Sequence, residues 1–289
     1  MSLIARAAAY GRMIRFSHSV FALPFALTSV ALAARAGGIT WRQVFWIVVA
    51  MVSARSAAMG FNRLADQWID ARNPRTASRE LPRGVLSRSE VWAFFWVSVA
   101  VFLLAAAQLN GLCLALAPVA LSIVLGYSYT KRFTAASQLV LGLSLAVAPV
   151  GAWLAIRGRF DAVPLALGLA VVLWVAGFDT IYACQDVEFD RREGLRSIPA
   201  SLGVRRALLV ARALHVLAVV VLLSLYALAP LHALYLAGVG AVAGLLAYEH
   251  TLVRPDDLSR VMQAFNLNGW VSLGYFAFTA AAAWLAGPR

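Results

Sequence analysis

The chain has 289 residues, 62% of them apolar and 13% charged, with a mean hydropathy of +0.78. A soluble domain carries about 25% charged residues, so the composition excludes a water-soluble globular protein and leaves an all-α integral membrane protein. The formal net charge of +12 comes from basic residues in short connections between apolar runs, a membrane-topology pattern rather than a nucleic-acid footprint.

Apolar runs near 20 residues, enough to cross about 30 Å of hydrocarbon, predict nine spans. They fall at 16–36, 43–62, 89–109, 111–130, 135–155, 163–183, 207–228, 232–250 and 265–285. The first run is read as a span, since no cleavage pattern follows it. Nineteen basic residues flank one side of these spans and five the other, with Arg55 inside the second span. By the positive-inside rule the N-terminus is cytoplasmic, and nine spans put the C-terminus outside. This predicts a multi-pass protein of the bacterial cytoplasmic membrane with its acidic stretches on the cytoplasmic side. Cys113 and Cys184 form neither a disulfide framework nor a metal knuckle.

Two connections, 63–88 and 184–206, are long, and both are acidic. Asn62, Asp66 and Asp70 fall four apart and share one face of a helix. Asp179, Tyr182, Asp186 and Asp190 do the same. The acidic pair recurs after 120 residues, each time followed by a basic run and a Leu/Ile-Pro step, Leu81-Pro82 and Ile198-Pro199. The chain therefore reads as one domain, 1–289, of two weakly similar halves, 1–132 and 133–289. Ser87 to Glu90 has the capping-box pattern and predicts the start of the third span.

Crowded carboxylates at a membrane edge repel one another unless a cation sits between them. Mg²⁺ fits, being hard and oxygen-seeking and usually bound by one or two carboxylates plus substrate phosphates. Arginines that suit phosphate oxygens surround the acids: Arg72, Arg75, Arg79 and Arg83, then Arg191, Arg192 and Arg196. Positive-inside topology explains any one of them equally well. Arg55, a charge inside a span, must face the interior and be partnered; it lies on the acidic face, placed to bind the carboxylate of an aromatic acid or to pair with an Asp. Asp179 sits at the inner end of the sixth span, placed for a site role or a structural hydrogen bond. Tyr127 and Lys131, the only lysine, lie four apart at the end of the fourth span, as site residues or interfacial anchors. His215, His232 and His250 have no ligand spacing and read as packing or interfacial, and His18 stands near Arg15 at the first span.

The stretches NxxxDxxxDxxNPRTxxRxLPxG at 62–84, YxxxK at 127–131 and DxxYxxQDxxxDxxxGxxSIP at 179–199 resemble the UbiA superfamily of intramembrane aromatic prenyltransferases, as does RFSHSVFALPFAL at 15–27. The resemblance implies nine helices around a central cavity, with Mg²⁺-diphosphate under a cytoplasmic cap. It assigns Asn62, Asp66 and Asp70 to a first metal-diphosphate motif, Asp186 and Asp190 to a second, and Tyr127 with Lys131 to a pair near the diphosphate. Arg63 departs from the pattern, since many relatives carry Asp there. The wording is most similar to the 4-hydroxybenzoate-type branch, including members that prenylate a naphthoate-derived acid for menaquinone.

These readings combine into Mg²⁺-dependent transfer of a polyprenyl group from its diphosphate to an aromatic acid of ubiquinone or menaquinone biosynthesis. The partners are a polyprenyl diphosphate, the acceptor and the lipid bilayer, with no nucleic acid. A cation-coupled transporter is the competing class, since intramembrane acids and weak repeats also serve ion binding. Against it, the acids lie at one membrane face rather than the midplane.

Overall fold

The computed structural model describes residues 3–14, 21–35 and 37–286. His18, Arg15 and Arg289 lie outside the described residues, as does much of the 15–27 motif. The described chain is helical: α1 (Leu3–Met13), α2 (Leu23–Ala34), α3 (Trp41–Ala65), α4 (Gln67–Arg72), α5 (Arg88–Leu109), α6 (Gly111–Thr130) and α7 (Ser137–Arg157). Then follow α8 (Ala162–Ala183), a 3-10 turn (Cys184–Asp186), α9 (Val187–Arg192), α10 (Ile198–Leu202), α11 (Val204–Leu228), α12 (Leu234–Leu252) and α13 (Val261–Leu285).

Local chemistry sets the boundaries. Thr40 with Gln43 and Ser87 with Glu90 form reciprocal capping boxes that open α3 and α5. The Asn110 side chain accepts from the Cys113 N–H at 2.9 Å and donates to the Leu154 carbonyl at 2.8 Å, opening α6 while fastening it to α7. Gly158, at φ 65°, closes α7 in the left-handed conformation that suits a residue without Cβ.

Each of the nine predicted spans overlaps a helix, but not all are equally apolar. Among the described residues six helices are long and apolar enough to cross a membrane: α3, α5, α6, α7, α8 with its continuation to Arg192, and α11. The protein is thus an all-α, multi-pass membrane protein. Helix α2 is apolar but has only 12 described residues. Helices α12 and α13 fall below the others because they carry Glu249 and His250, and Gln263, Asn266 and Asn268.

Several of these polar groups bond to one another. Asn268 donates to Glu249 Oε1 at 3.1 Å and accepts from Trp174 Nε1 at 2.6 Å. His215 Nδ1 meets His250 Nε2 at 3.0 Å, and its other nitrogen meets the Trp174 carbonyl at 3.2 Å. These two histidines, which show no ligand spacing in the sequence, are a cross-helix pair. The network ties α8, α11, α12 and α13 together where each polar group alone would be costly in lipid.

Helix α8 packs extensively on α7 and α11, and α3 on α5. At the α7–α8 contact Gly142 is buried, and a Cβ there would run into the Val172 carbonyl. An aromatic core fills the space between α2, α8 and α13: Phe21, Phe25, Trp174, Phe178, Phe265 and Tyr275. The cavity lies beside this aromatic core rather than within it. It measures ≈ 350 Å³ and is lined chiefly by α3, α5, α6 and α7. Its walls are almost wholly apolar, with Arg55, Asn62 and Tyr127 among the few polar groups. Lining residues on α6 run from Cys113 to Tyr127, about 21 Å of helix.

Gly142→Val should lower the melting midpoint of the detergent-solubilised protein, because overpacking a close contact costs about 1–3 kcal/mol. Gly126→Ala, where a Cβ meets nothing within 4 Å, should melt like the parent in the same scan.

Candidate active site

Both acidic stretches are built the same way. Helix α3 ends at Ala65, Asp66 turns at φ −101°, ψ 9°, and α4 restarts for six residues with Asp70 fourth among them. Helix α8 runs through its 3-10 turn to Asp186, which turns at φ −102°, ψ 5°, and α9 restarts for six residues with Asp190 fourth. The two joints thus repeat in backbone as well as in sequence. Both use the bridge conformation, where regular helix lapses. Counting 100° per residue through the joints, as a single helix would require, misses these breaks.

The joints face each other across a web of charged hydrogen bonds. Arg75, from the segment after α4, sets its fork on Asp186: Nε to Oδ1 at 3.0 Å and Nη2 to Oδ2 at 2.6 Å. Its Nη1 donates to the Tyr182 hydroxyl at 2.9 Å. Asn73 Nδ2 adds a bond to Asp186 Oδ1 at 3.2 Å, while its own Oδ1 accepts from the Arg75 N–H at 2.9 Å. Arg79 Nη1 lies against both oxygens of Asp70, at 2.7 and 2.8 Å. Arg72 reaches Glu193 at 2.9 Å.

The connection between α6 and α7 closes a third side. Arg132 Nη2 donates to the Ala65 carbonyl at 2.6 Å and to Asp66 Oδ1 at 3.2 Å, while Asn62 Nδ2 donates to Asp66 Oδ2 at 2.9 Å. Lys131 Nζ stands 3.9 Å from Asp190 Oδ2, which also accepts from Ser197 Oγ at 3.0 Å. The Arg196 N–H donates to the Lys131 carbonyl at 2.6 Å, joining this connection to the second acidic stretch.

The predicted residues divide accordingly. Asn62, Asp66, Asp70, Arg75, Arg79, Lys131, Asp186 and Asp190 belong to the web. Tyr127 and Asn62 look into the cavity mouth, and Arg55, about two turns deeper on α3, looks into its wall. Asp179, on α8, lies within electrostatic range of Lys131, Asp186, Arg75 and Asp190. Arg191 and Arg192 are exposed on α9, and Arg191 Nε is spent on the Ala200 carbonyl at 2.8 Å. Arg63, the departure from the family pattern, is 3% exposed; it donates to the Met13 carbonyl at 3.3 Å and stands 3.9 Å from Asp70.

Asn73, Tyr182, Arg132 and Ser197 do as much at the web as the predicted residues. The Asn-Pro step at 73–74 is a turn signal that accounts for Asn73, and Tyr182 shares the acidic face. Nothing in the spacing distinguishes Arg132 from its neighbour Lys131.

A family model described as the UbiA prenyltransferase family matches residues 22–286. The chain belongs to that family. A 4-hydroxybenzoate octaprenyltransferase of Xanthomonas campestris pv. campestris is 32% identical over 253 residues, covering 87% of this chain and 83% of its own. The apo structure of a UbiA homolog from Aeropyrum pernix K1 superposes with a TM-score of 0.84 at 35% identity, covering 91% of this chain and 96% of that one. A UbiA homolog from Archaeoglobus fulgidus, solved with GPP and Mg²⁺, shares the fold at 21% identity, with a TM-score of 0.69 and coverage of 95% and 99%. Membership in this family makes the protein a transferase and sets the transporter reading aside.

The donor set suits a hard divalent cation. The web offers carboxylate oxygens and no thiolate or imidazole. Among the described residues no three Asp, Glu, His or Cys converge on one point. An ion held here would take at most two carboxylates and complete its shell with phosphate and water oxygens, the usual pattern for Mg²⁺.

Burial raises the Asp66 pKa above the ordinary carboxylate value; the Arg132 bond opposes the rise and the Asp70 charge adds to it. A raised folded-state pKa means that stability is fully present below the unfolded value, about 3.9, and is lost as pH rises through the folded value. Asp66→Asn should therefore melt above the parent at pH 7, with the difference shrinking as the pH approaches 4. A variant that melts below the parent at pH 7 would show that the Arg132 pair outweighs burial.

Proposed function

We propose that this protein transfers a polyprenyl group from an allylic prenyl diphosphate to an aromatic acid of the 4-hydroxybenzoate type, with Mg²⁺, in ubiquinone or menaquinone biosynthesis. The observation that carries the reading is the two facing Asp joints, the first of them bonded through Asn62 to the lining of an apolar cavity. An amphiphile with a polar diphosphate and a hydrocarbon tail matches that arrangement at both ends. The substrates of the curated relatives point the same way.

In this reading Asp66 and Asp70 at the first joint, and Asp186 and Asp190 at the second, would offer their carboxylates to Mg²⁺, no single ion taking more than two of them. When bound, Mg²⁺ supplies Lewis-acid neutralisation of the diphosphate. Arg75, Arg79 and Lys131 aim fixed positive charge at the departing diphosphate as its C–O bond breaks. The apolar walls from Met51 to Leu145 hold the tail and keep water from the allylic cation. Arg55 binds the acceptor's carboxylate, which presents the aromatic ring to that cation. Tyr127 and Asp179 would orient the acceptor, whose ring proton passes to the departing diphosphate once the new C–C bond has formed. Arg191 and Arg192, exposed on α9, would reach diphosphate only by leaving their present positions.

Nine helices cross the bilayer in this proposal, α12 and α13 among them, with the polar faces of those two turned inward. The asymmetry of nineteen basic residues against five supports a cytoplasmic N-terminus, an outer C-terminus and an active site facing the cytoplasm of a bacterial cell. The matching joints support two related halves, 1–132 and 133–289.

The test is a membrane assay with labelled geranyl diphosphate and Mg²⁺, offering 4-hydroxybenzoate and 1,4-dihydroxy-6-naphthoate in parallel. We expect an EDTA-sensitive prenylated 4-hydroxybenzoate, with turnover reduced at least about 100-fold in Asp186→Asn. Product from the naphthoate alone would assign the menaquinone acceptor instead. Undiminished turnover in Asp186→Asn would refute its metal role. Arg55→Ala should raise KM for the aromatic acid with little change in KM for the donor. An equal rise in both would place Arg55 in the bundle's structure rather than at the acceptor.

A further inference from the structure

Each of the four acids at the joints already has a basic partner: Asp66 with Arg132, Asp70 with Arg79, Asp186 with Arg75 and Asp190 with Lys131. Two of these pairs cover both oxygens of their carboxylate. Arg75 sets two nitrogens on Asp186, and Arg79 sets Nη1 between the oxygens of Asp70. An octahedral cation needs the same oxygen lone pairs, at about 2.0–2.1 Å. A carboxylate has about four lone-pair sites, and Arg75 with Asn73 takes three of those on Asp186, so the guanidinium and a metal ion compete there.

Resting on the function proposed above, we propose that Arg75 and Arg79 are exchangeable counter-ions. Each guards its carboxylate until a divalent cation displaces it, and the freed guanidinium then takes the oxygens of the diphosphate. Without the guard, Asp186 would lose its bidentate partner and Asp70 its nearest cation, which is destabilising for buried charges. With it, the carboxylates stay paired and ordered before substrate arrives.

The surroundings permit the exchange at these two arginines and not at Arg63. The Arg75 and Arg79 side chains are 29% and 19% accessible, on the segment after α4, whereas Arg63 is 3% accessible and bonded to the Met13 carbonyl under α1. When Arg75 leaves Asp186, Asn73 still donates to that carboxylate, so the acid keeps its orientation. Arg63 remains beside Asp70 throughout, a permanent positive charge at a site that otherwise gains and loses cations. Cation and diphosphate are thereby coupled, since each favours the state in which Arg75 has turned from Asp186 to phosphate. Linkage makes that coupling reciprocal.

The exchange has a signature that a merely structural pair lacks: removing Arg75 should tighten one ligand and weaken the other. Purified full-length protein in detergent is titrated with Mn²⁺ alone, followed by electron paramagnetic resonance. Labelled geranyl diphosphate binding is measured with Mg²⁺ and, separately, in EDTA. Arg75→Ala should bind Mn²⁺ about tenfold more tightly than the parent, because the competing charge is gone. It should bind geranyl diphosphate about tenfold more weakly in Mg²⁺, with little change in EDTA, where Arg75 is still engaged by Asp186. Arg75→Lys keeps the charge without the fork and should give a smaller gain for Mn²⁺, so the test survives a folding defect in the alanine variant. Mn²⁺ affinity in both variants equal to or below the parent's overturns the exchange, and so does an equal loss of geranyl diphosphate with and without Mg²⁺. A parent protein that binds neither Mn²⁺ nor geranyl diphosphate overturns the proposed function along with it.

Discussion

Burying carboxylates beside an apolar cavity is the constraint that organises this molecule. An ionised acid taken out of water must be paired and hydrogen-bonded. Here the partners come from other segments of the chain. Asp186 draws Arg75 and Asn73 from beyond α4, Asp66 draws Arg132 from the end of α6, and Asp190 draws Lys131 and Ser197. Satisfying the acids therefore folds three connections onto one another and closes the polar end of the bundle. The long loops are ordered because their charges have nowhere else to go.

The rest of the bundle divides its polar and apolar work by location. Helices α8, α11, α12 and α13 are tied by the Trp174–Asn268–Glu249 and His215–His250 bonds. Their shared space, with α2, is filled by aromatic rings. The opposite side, between α3, α5, α6 and α7, is lined by smaller and more flexible residues such as Ala54, Met51 and Gly151, and there a cavity persists. A solid half thus backs a hollow one. The charged web spans both.

Much of this was legible in the chain, for identifiable reasons. The ends of α6 at Gly111 and Thr130 match the predicted span because Asn110 caps one end and Lys131-Arg132 marks the other. Ser87 and Glu90 opened α5 as their spacing required. The acidic stretches were visible because Asp is rare beside apolar runs. The joints were not, since four-residue spacing looks alike in a continuous helix and in one that breaks and restarts at Asp66 or Asp186. Arg191 and Arg192 looked equivalent to Arg75 and Arg79 because composition does not reveal which way a short helix faces. The polarity of α12 and α13 made sense only once their bonds to α8 and α11 were seen. The cavity's place beside the aromatic core depended on which interior the large rings fill, and periodicity does not encode that.

The two acidic joints also differ in where their partners lie along the chain, and this bears on how the protein is made. Asp70 finds Arg79 nine residues away and Asp66 finds Arg132 66 residues on, so the first joint can neutralise itself before α8 is made. Asp186 must reach back 111 residues to Arg75, and Lys131 likewise precedes its partner Asp190. Synthesis thus delivers a self-sufficient N-terminal joint first and a dependent one later. The second half enters a membrane in which its counter-ions are already waiting. A nascent chain truncated before α8 would be electrostatically tolerable, whereas the C-terminal half made alone would carry two acids with their cations missing.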